Sequence, residues 1–492
     1  MDPTPVRAKA QRKSNSRDIV SDRHRASDLT LSFVSVIFAF LGTLVYAASI
    51  YDTDSFSMVL PLMLLVFCIL YLRMRQRLYD LVLIEGIVLI MYTLVPHFGS
   101  DVGDPLSRVY HLDDGNWVHN QAVLAYFWSI PIVTMLIRSP ASPGSLNVKR
   151  RNASAAYAAV IAGAISIGLS MVYVAKFGFV VGGDTDYADN FALKQTGASG
   201  LGIVLLSVPL SLSSLALALT IRPFKFRLPV LIAIASLLAL FVVQGQRKYI
   251  VIPLLFLAVT QVRVKGLAKI ILFLVAIAVV WTFFCYLGYL RFVKLPIGSL
   301  FDFTTIMQFW AVRGNFLAGE TAALTATASA AAQHIISPLP YFGDYLQSWQ
   351  MASPQFLFHG SYVPANERFA YAFNAKTAAM GQGWGFDFWG EAFVVGGSAG
   401  VALAAFAITA LLRAIYVLAL RHGYTGFWGA FAIMGSYFAL WFQRNAFAYF
   451  LREYLVYGAL ILCASVVTGV ICRLALTSRH RGNQMEPKDA TS

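Results

Sequence analysis

The feature that most constrains this chain is a succession of apolar runs of roughly 20 residues from one end to the other, each long enough to cross a ~30 Å hydrocarbon core. Only 13% of residues are charged and 58% are apolar, against about 25% charged in soluble domains. In lipid every backbone polar group must be satisfied within the segment, which selects helices. The expectation is an all-α polytopic membrane protein of about twelve transmembrane helices. The spans fall at 29–50, 58–72, 78–96, 121–137, 155–175, 201–221, 228–243, 249–262, 270–290, 388–412, 425–443 and 454–472.

The net charge of +14 reads as an insertion signal, not as a nucleic-acid footprint. With the basic tail 1–28 inside, alternate loops carry Arg73/Arg75/Arg77, Arg138/Lys149/Arg150/Arg151, Arg222/Lys225/Arg227, Arg263/Lys265/Lys269 and Arg413/Arg421. That is the positive-inside pattern, and it puts the C-terminal tail 473–492 inside as well. Helices 1–9 then occupy 29–290, a large outer loop 291–387, and helices 10–12 residues 388–472. A structureless loop of that length is uncommon, so it is expected to fold over the outer mouth. Its Ala-rich stretch "AGETAALTATASAAAQHII" favours helix and could be re-entrant or even spanning. Cys68, Cys285, Cys463 and Cys472 all lie in spans, which implies no extracellular disulfide framework. There is no Cys/His metal-ligand spacing, P-loop or GxGxxG, and no metal or cofactor is expected. A metal site on His97, His111 and His119 is an alternative, but their spacings of 14 and 8 residues fit no helix face.

Several residues are candidates for chemistry. The hairpin "VVQGQRKYIVIP" joins spans 228–243 and 249–262, which reach only about 24 and 21 Å at 1.5 Å per residue. Its tip should sit below the membrane plane and draw Arg247 and Lys248 inward. An Arg at mid-membrane depth costs ~2.5–3.5 kcal/mol, which a phosphate-bearing lipid would offset; snorkelling to headgroups is the bland alternative. Arg291, Arg313, Arg368, Arg444 and Arg452 are further outer-side cations. Their planar forks match phosphate oxygens in pairs, although each could instead be a loop salt bridge or an edge anchor. Glu85, mid-span in "VLIEGIVLI", lines a cavity or bonds a neighbouring helix. Asp52 and Asp54 read as surface loop.

In "GWGFDFWGEAFVVGGSAG" (383–400), Asp387 stands where a helix begins and reads as an N-cap. Glu391 lies one turn further in, beyond a cap's reach, and an intramembrane acid is a functional candidate. It could orient a sugar hydroxyl, pair with an Arg or act as a base; positioning or pairing is favoured. The Gly396-x-x-x-Gly400 spacing allows close helix approach.

The Gly-rich outer segment followed by "GEAFVVGGSAG" opening a late span resembles the C-terminal signature of the Wzy-type polysaccharide repeat-unit polymerases. These are related in architecture to O-antigen ligases and the C-type membrane glycosyltransferases. The number of spans, the large outer loop before the motif and the Arg in "GQRK" extend the resemblance. It implies a bacterial inner-membrane enzyme acting on the periplasmic face. A glycan on undecaprenyl pyrophosphate would be transferred onto the next lipid-linked repeat unit, without metal or nucleotide sugar. A chain-length regulator is the implied protein partner and membrane lipid the surroundings. By the same resemblance Arg247 holds pyrophosphate and Glu391 is the motif acid. The ligase relatives place a histidine in the large loop, where His334 and His359 are the candidates. A lipid-linked oligosaccharide flippase, or another transporter, is the competing class, and an O-antigen ligase the competing enzyme.

Overall fold

A computed structural model describes residues 4–49, 58–75, 80–94, 112–139, 153–178, 198–219, 227–244, 266–293, 295, 297–336, 338–339, 342–352, 362–379, 386–421 and parts of 435–474. Among the described residues there is no strand. The helices are α1 (Thr4–Ser49), α2 (Val59–Arg75), α3 (Leu81–Leu94), α4 (Leu112–Leu136), α5 (Ala153–Phe177), α6 (Ala198–Leu219), α7 (Arg227–Gln244), α8 (Leu267–Phe292), α9 (Phe303–Ala332), α10 (Gly343–Gln347), α11 (Trp349–Ala352), α12 (Ala365–Ala379) and α13 (Phe388–Arg421). Segments Ser27–Ser49, Ala156–Phe177, Ala268–Leu290 and Phe388–Arg421 are long and apolar enough to cross a membrane. Val59–Met74, Leu81–Leu94, Leu206–Leu215, Leu228–Val243 and Phe303–Val312 are shorter apolar helices. The expected span 249–262 lies outside the described residues, and 425–443 and 454–472 are described only in part. By its described residues the chain is an α-helical membrane protein.

Two compact units emerge. One comprises Met1–Gly144, Leu254–Arg421 and Gly435–Tyr454; the other comprises Ser145–Pro253, His422–Met434 and Leu455–Ser492. The second contains α5, α6 and α7, held by small residues and hydroxyls. Ser166 Oγ donates to the Ser207 carbonyl at 2.8 Å and lies 2.6 Å from Ser211 Oγ, while Ser214 Oγ donates to the Ala159 carbonyl at 2.6 Å. A Cβ on Gly163 would come within 2.6 Å of Ile232 Cγ2. Small residues let helix backbones approach where lipid supplies no hydrophobic drive.

The first unit carries Glu391, Arg291, Arg313, Arg368, Arg444, Arg452, His334 and His359, whereas Arg247 and Lys248 belong to the second. Phe38, Phe67 and Phe127 interlock α1, α2 and α4, with ring centroids 5.4 to 5.7 Å apart. Pro131 sits inside α4 and cannot donate to the carbonyl four residues back. That carbonyl, on Phe127, instead accepts from Ser35 Oγ at 2.8 Å, so the lost helix bond becomes a bond between helices.

Three boundaries differ from the sequence reading. α4 begins at Leu112, so Trp117 and His119, read as loop, are helical. α1 runs from Thr4 to Ser49 without a break, continuing into the expected tail. α13 extends past residue 412 to Arg421, and Arg413, read as a loop cation, is helical and 1% exposed. Its Nη2 donates to Asp28 Oδ2 at 3.1 Å and to Ser139 Oγ at 3.0 Å, and its Nε donates to the Ile137 carbonyl at 3.2 Å. Its Nη1 lies 3.8 Å from Asp80 Oδ2. Asp80 also accepts from the Tyr71 hydroxyl at 2.6 Å and the Val82 N–H at 3.2 Å. This network joins α1, α2, α3, α4 and α13 at one end of the bundle.

Candidate functional site

The other end of α13 holds the site. Asp387 caps the helix, its Oδ2 accepting the Gly390 N–H at 2.6 Å. Its own N–H donates to Thr327 Oγ1 at 3.0 Å, which fastens the cap to α9. The sequence reading of Asp387 as an N-cap therefore agrees with the geometry. A Cβ on Gly390 would lie 3.0 Å from the Ala328 Cα, so glycine lets α9 close on the first turn.

Two turns on, α13 breaks. Gly396 (φ −147, ψ 16) and Gly397 (φ 60, ψ −149) are non-helical. The Gly397 conformation is essentially reserved for glycine. The break turns the chain back so that a Cβ on Gly400 would meet the Ala392 carbonyl oxygen at 2.1 Å. The Gly396/Gly400 spacing, read as a seam for a neighbouring helix, serves a break within α13 itself.

Glu391 lies in the short half-helix before this break and is fully buried. Its Oε2 accepts the Phe447 N–H at 2.5 Å. Its Oε1 has no hydrogen-bond partner among the described residues. Asp344, Arg368 and Asp387 are within electrostatic reach of it. Asp344, in α10, is buried and bonded to the Arg368 guanidinium from α12, and its Oδ2 accepts the Leu339 N–H at 3.0 Å. The Asp344 carbonyl accepts from the Tyr362 hydroxyl at 3.0 Å.

Three tyrosines belong to the same neighbourhood. Burial, then the charges of Glu391 and Asp344, push the Tyr345 and Tyr362 phenols well above their ordinary value, so both remain neutral donors. The Tyr345 hydroxyl is buried with no hydrogen-bond partner among the described residues, and its ring meets Phe447 at 4.9 Å. Tyr449 donates to Glu367 Oε1 at 2.7 Å. Beneath them Ile336, Ala365, Phe369, Phe386 and Ala446 form an apolar floor that ties α12 to the start of α13.

On α4, His119 is 1% exposed, with Nε2 3.2 Å from Asp387 Oδ1. The distance is that of an ion pair, but the ring is not aligned for a hydrogen bond, and both nitrogens lack such a partner among the described residues.

The arrangement brings Glu391 and Arg368 into one neighbourhood through Asp344. Arg452 is half-buried and acts electrostatically on Tyr449. Arg291, Arg313 and Arg444 are placed by their backbones alone, in α8, in α9 and in a 3-10 turn at Phe442–Arg444. His334 is exposed just past α9 in a left-handed conformation (φ 58). Arg247, Lys248 and His359 lie outside the described residues. The sequence reading missed Asp344, Tyr345, Tyr362 and Tyr449 and considered His119 only for metal binding. A usable signal was present for two of them: Asp344 is the lone acid in "PYFGDYLQSW", and His119 leads an apolar run in "NWVHNQAV".

A buried carboxylate with one oxygen lacking a hydrogen-bond partner among the described residues, within electrostatic reach of the Tyr345 and Tyr362 phenols and of the Arg368–Asp344 pair, could accept from a ligand's hydroxyl group. No family model, curated protein or solved structure matches this chain.

Proposed function

We propose that this protein is a membrane glycosyltransferase that polymerises lipid-linked oligosaccharide repeat units, with the polyprenyl diphosphate of the growing chain as leaving group. The carrying observation is Glu391, fully buried, with one oxygen fixed by a backbone N–H and the other without a hydrogen-bond partner among the described residues. In this reading Oε1 accepts a hydrogen bond from the acceptor sugar's hydroxyl and aims its oxygen at the donor's anomeric carbon. The new C–O bond forms there as the bond to the diphosphate oxygen breaks and the diphosphate leaves with the electron pair. The hydroxyl proton passes to the carboxylate. A guanidinium at the diphosphate would stabilise charge as it develops, a part that the family resemblance assigns to Arg247. Lys248, Arg291, Arg313, Arg444 and Arg452 would add to that field, whereas Arg368 is already paired with Asp344. The finer assignment is twelve spans, a periplasmic site and undecaprenyl pyrophosphate as the carrier.

In a strain lacking the protein, single repeat units are expected to accumulate on the lipid carrier with no polymer ladder. Glu391→Gln keeps the shape and removes the charge, and positioned acid–base groups contribute about 10²–10⁴-fold. The ladder should vanish while protein level holds, and full polymerisation by this variant would remove the carboxylate from the chemistry. Arg247→Ala should likewise abolish the ladder, and a normal ladder would take Arg247 out of the site.

A transporter is the second reading. It is favoured by the break at Gly396–Gly397 inside a membrane-length helix, since discontinuous helices mark transporter binding sites. Repeat units trapped on the inner leaflet of the deletion strain would select it.

A further inference from the structure

Glu85 stands inside α3 and is fully buried. Its two carboxyl oxygens lie 3.3 and 3.2 Å from the Thr409 hydroxyl of α13. No ion pair involves Glu85 among the described residues. Asp80, just before the same helix, shows what a charged carboxylate collects in this bundle. It has the Tyr71 hydroxyl at 2.6 Å, the Val82 N–H at 3.2 Å and the Arg413 guanidinium at 3.8 Å. An ionised carboxylate has roughly four acceptor sites, and burying a charge without compensation is costly. One hydroxyl beyond 3 Å supports a neutral acid far better than a charge.

The other groups facing Glu85 are committed elsewhere. From α4, the Tyr126 hydroxyl donates to the Val82 carbonyl at 2.6 Å. From α2, Tyr71 donates to Asp80, and the Cys68 thiol packs at Gly86. From α13, Arg413 is held by Asp28 and Asp80. Gln443 Nε2 donates to the Glu85 carbonyl at 3.5 Å, not to its carboxyl. The described side chains of α9 bring no titratable group.

A count of protons then separates the two states of Glu85. Thr409 Oγ1 lies 3.0 Å from Ser129 Oγ of α4, and Ser129 Oγ lies 2.8 Å from the Tyr126 carbonyl oxygen. The chain from Glu85 through Thr409 and Ser129 to Tyr126 thus has three contacts. Each hydroxyl has one proton to give, so the two hydroxyls can make only two of the three bonds. With Glu85 ionised, Thr409 donates to Glu85, Ser129 donates to Thr409, and the Tyr126 carbonyl goes without. With Glu85 protonated, the acid donates to Thr409, Thr409 to Ser129, and Ser129 to the carbonyl. Only the second state fills all three contacts.

Ser129 also lines a cavity of about 360 Å³ between α1, α4 and α13, roomy enough for several waters at ~30 Å³ each. We infer that Glu85 is a proton-binding site inside the bundle, loaded from this cavity through Ser129 and Thr409. A hydronium ion gives a proton to Ser129 Oγ and leaves as water. Ser129 passes its own proton to Thr409 Oγ1, and Thr409 passes its own to the Glu85 carboxylate. Each hydroxyl ends with one proton, Glu85 gains one, and all three bonds point away from it. Release runs the same hops in reverse. Ionisable side chains within a membrane commonly mark such relays, and this one needs neither a glycan nor Glu391.

The test is infrared spectroscopy of the full chain in nanodiscs, reading the C=O stretch of protonated carboxyl groups. At neutral pH the parent should show a band that Glu85→Gln lacks. Thr409→Val keeps the shape and removes the acid's acceptor, and should move that band to higher frequency. In heavy water the band shifts as deuterium replaces the proton. Ser129→Ala should slow that exchange about fivefold, the factor of one lost hydroxyl bond. Identical carboxyl spectra for the parent and Glu85→Gln would mean that Glu85 is ionised and would overturn the inference. A band that Thr409→Val leaves in place, or exchange at the parent's rate in Ser129→Ala, would overturn it too. Where Glu85→Gln fails to assemble, the Thr409→Val shift decides, because only an acid bonded to that hydroxyl responds to its loss. A polymer ladder that persists in Glu391→Gln would leave this result untouched.

Discussion

The two ends of α13 present different solutions to burying charge. At the Arg421 end, Arg413 is enclosed by Asp28, Asp80, Ser139 and the Ile137 carbonyl, and Asp80 takes two further bonds from Tyr71 and Val82. At the Phe388 end, Glu391 keeps one oxygen open, and the Tyr345 hydroxyl and both His119 nitrogens lack hydrogen-bond partners among the described residues. Burying a polar group without a partner costs free energy. Even at the first end Arg413 Nη1 has an ion-pair contact with Asp80 at 3.8 Å and no hydrogen bond among the described residues, so the two ends differ in degree: three of the four contacts there are direct bonds. The first end spends its bonding capacity on fastening five helices together. The second keeps capacity in reserve, which is what a ligand site requires.

The sharpest way to break this comparison is to remove Arg413. Arg413→Met keeps the apolar bulk and strands Asp28 and Asp80, and losing one partner of a buried pair costs about 3–5 kcal/mol. Thermal unfolding of the detergent-solubilised protein should show a large fall in Tm and in yield. Adding Asp28→Asn and Asp80→Asn should restore part of it, because the penalty is the uncompensated charge. Glu391→Gln, by contrast, should melt no lower than the parent. If Arg413→Met melts like the parent, or Glu391→Gln collapses, the two ends do not differ as argued.

Next in size is the break between them. Ala at position 397 cannot relax at φ 60 and ψ −149, and strain of this kind costs of order 1–3 kcal/mol. Gly397→Ala should therefore lower Tm by less than Arg413→Met. It should also impair polymerisation, since it presses the half-helix carrying Glu391 toward a continuous helix. Unchanged activity in a destabilised Gly397→Ala protein would mean that the break serves packing alone.

How much of this could be read in the sequence follows from the range of each interaction. The helices were legible because lipid fixes their length and composition locally, and the Asp387 cap because it acts three residues away. Glu391 stood out as an acid in an apolar context. Arg413 was misplaced because a cation closing an apolar run ordinarily marks the membrane edge, and its partner Asp28 is 385 positions distant. Gly396 and Gly400 have one spacing and two possible uses, and only backbone angles separate a helix seam from a helix break. Tyr345 and Asp344 look like loop residues until α10 and α12 are folded onto the start of α13. Phe447, whose N–H fixes Glu391, contributes through its backbone, which no side-chain pattern reveals.

The mildest change probes whether the Phe388 end owes its stability to its polar bonds at all. Tyr449→Phe removes the hydroxyl that donates to Glu367 and also bonds the Asn366 side chain. Burial, and then Glu367 itself, raise the Tyr449 phenol above its ordinary value, so in the parent it stays neutral and donates throughout the physiological range. Glu367 is only half-buried, and water can take the vacated place. The loss should be about 1 kcal/mol or less, far below that for Arg413, and it should appear as a small Tm shift. A shift rivalling that of Arg413→Met would mean that this end, too, is fastened by its polar contacts, and the reserve of bonding capacity inferred around Glu391 would have to be explained as packing strain instead of a ligand's place.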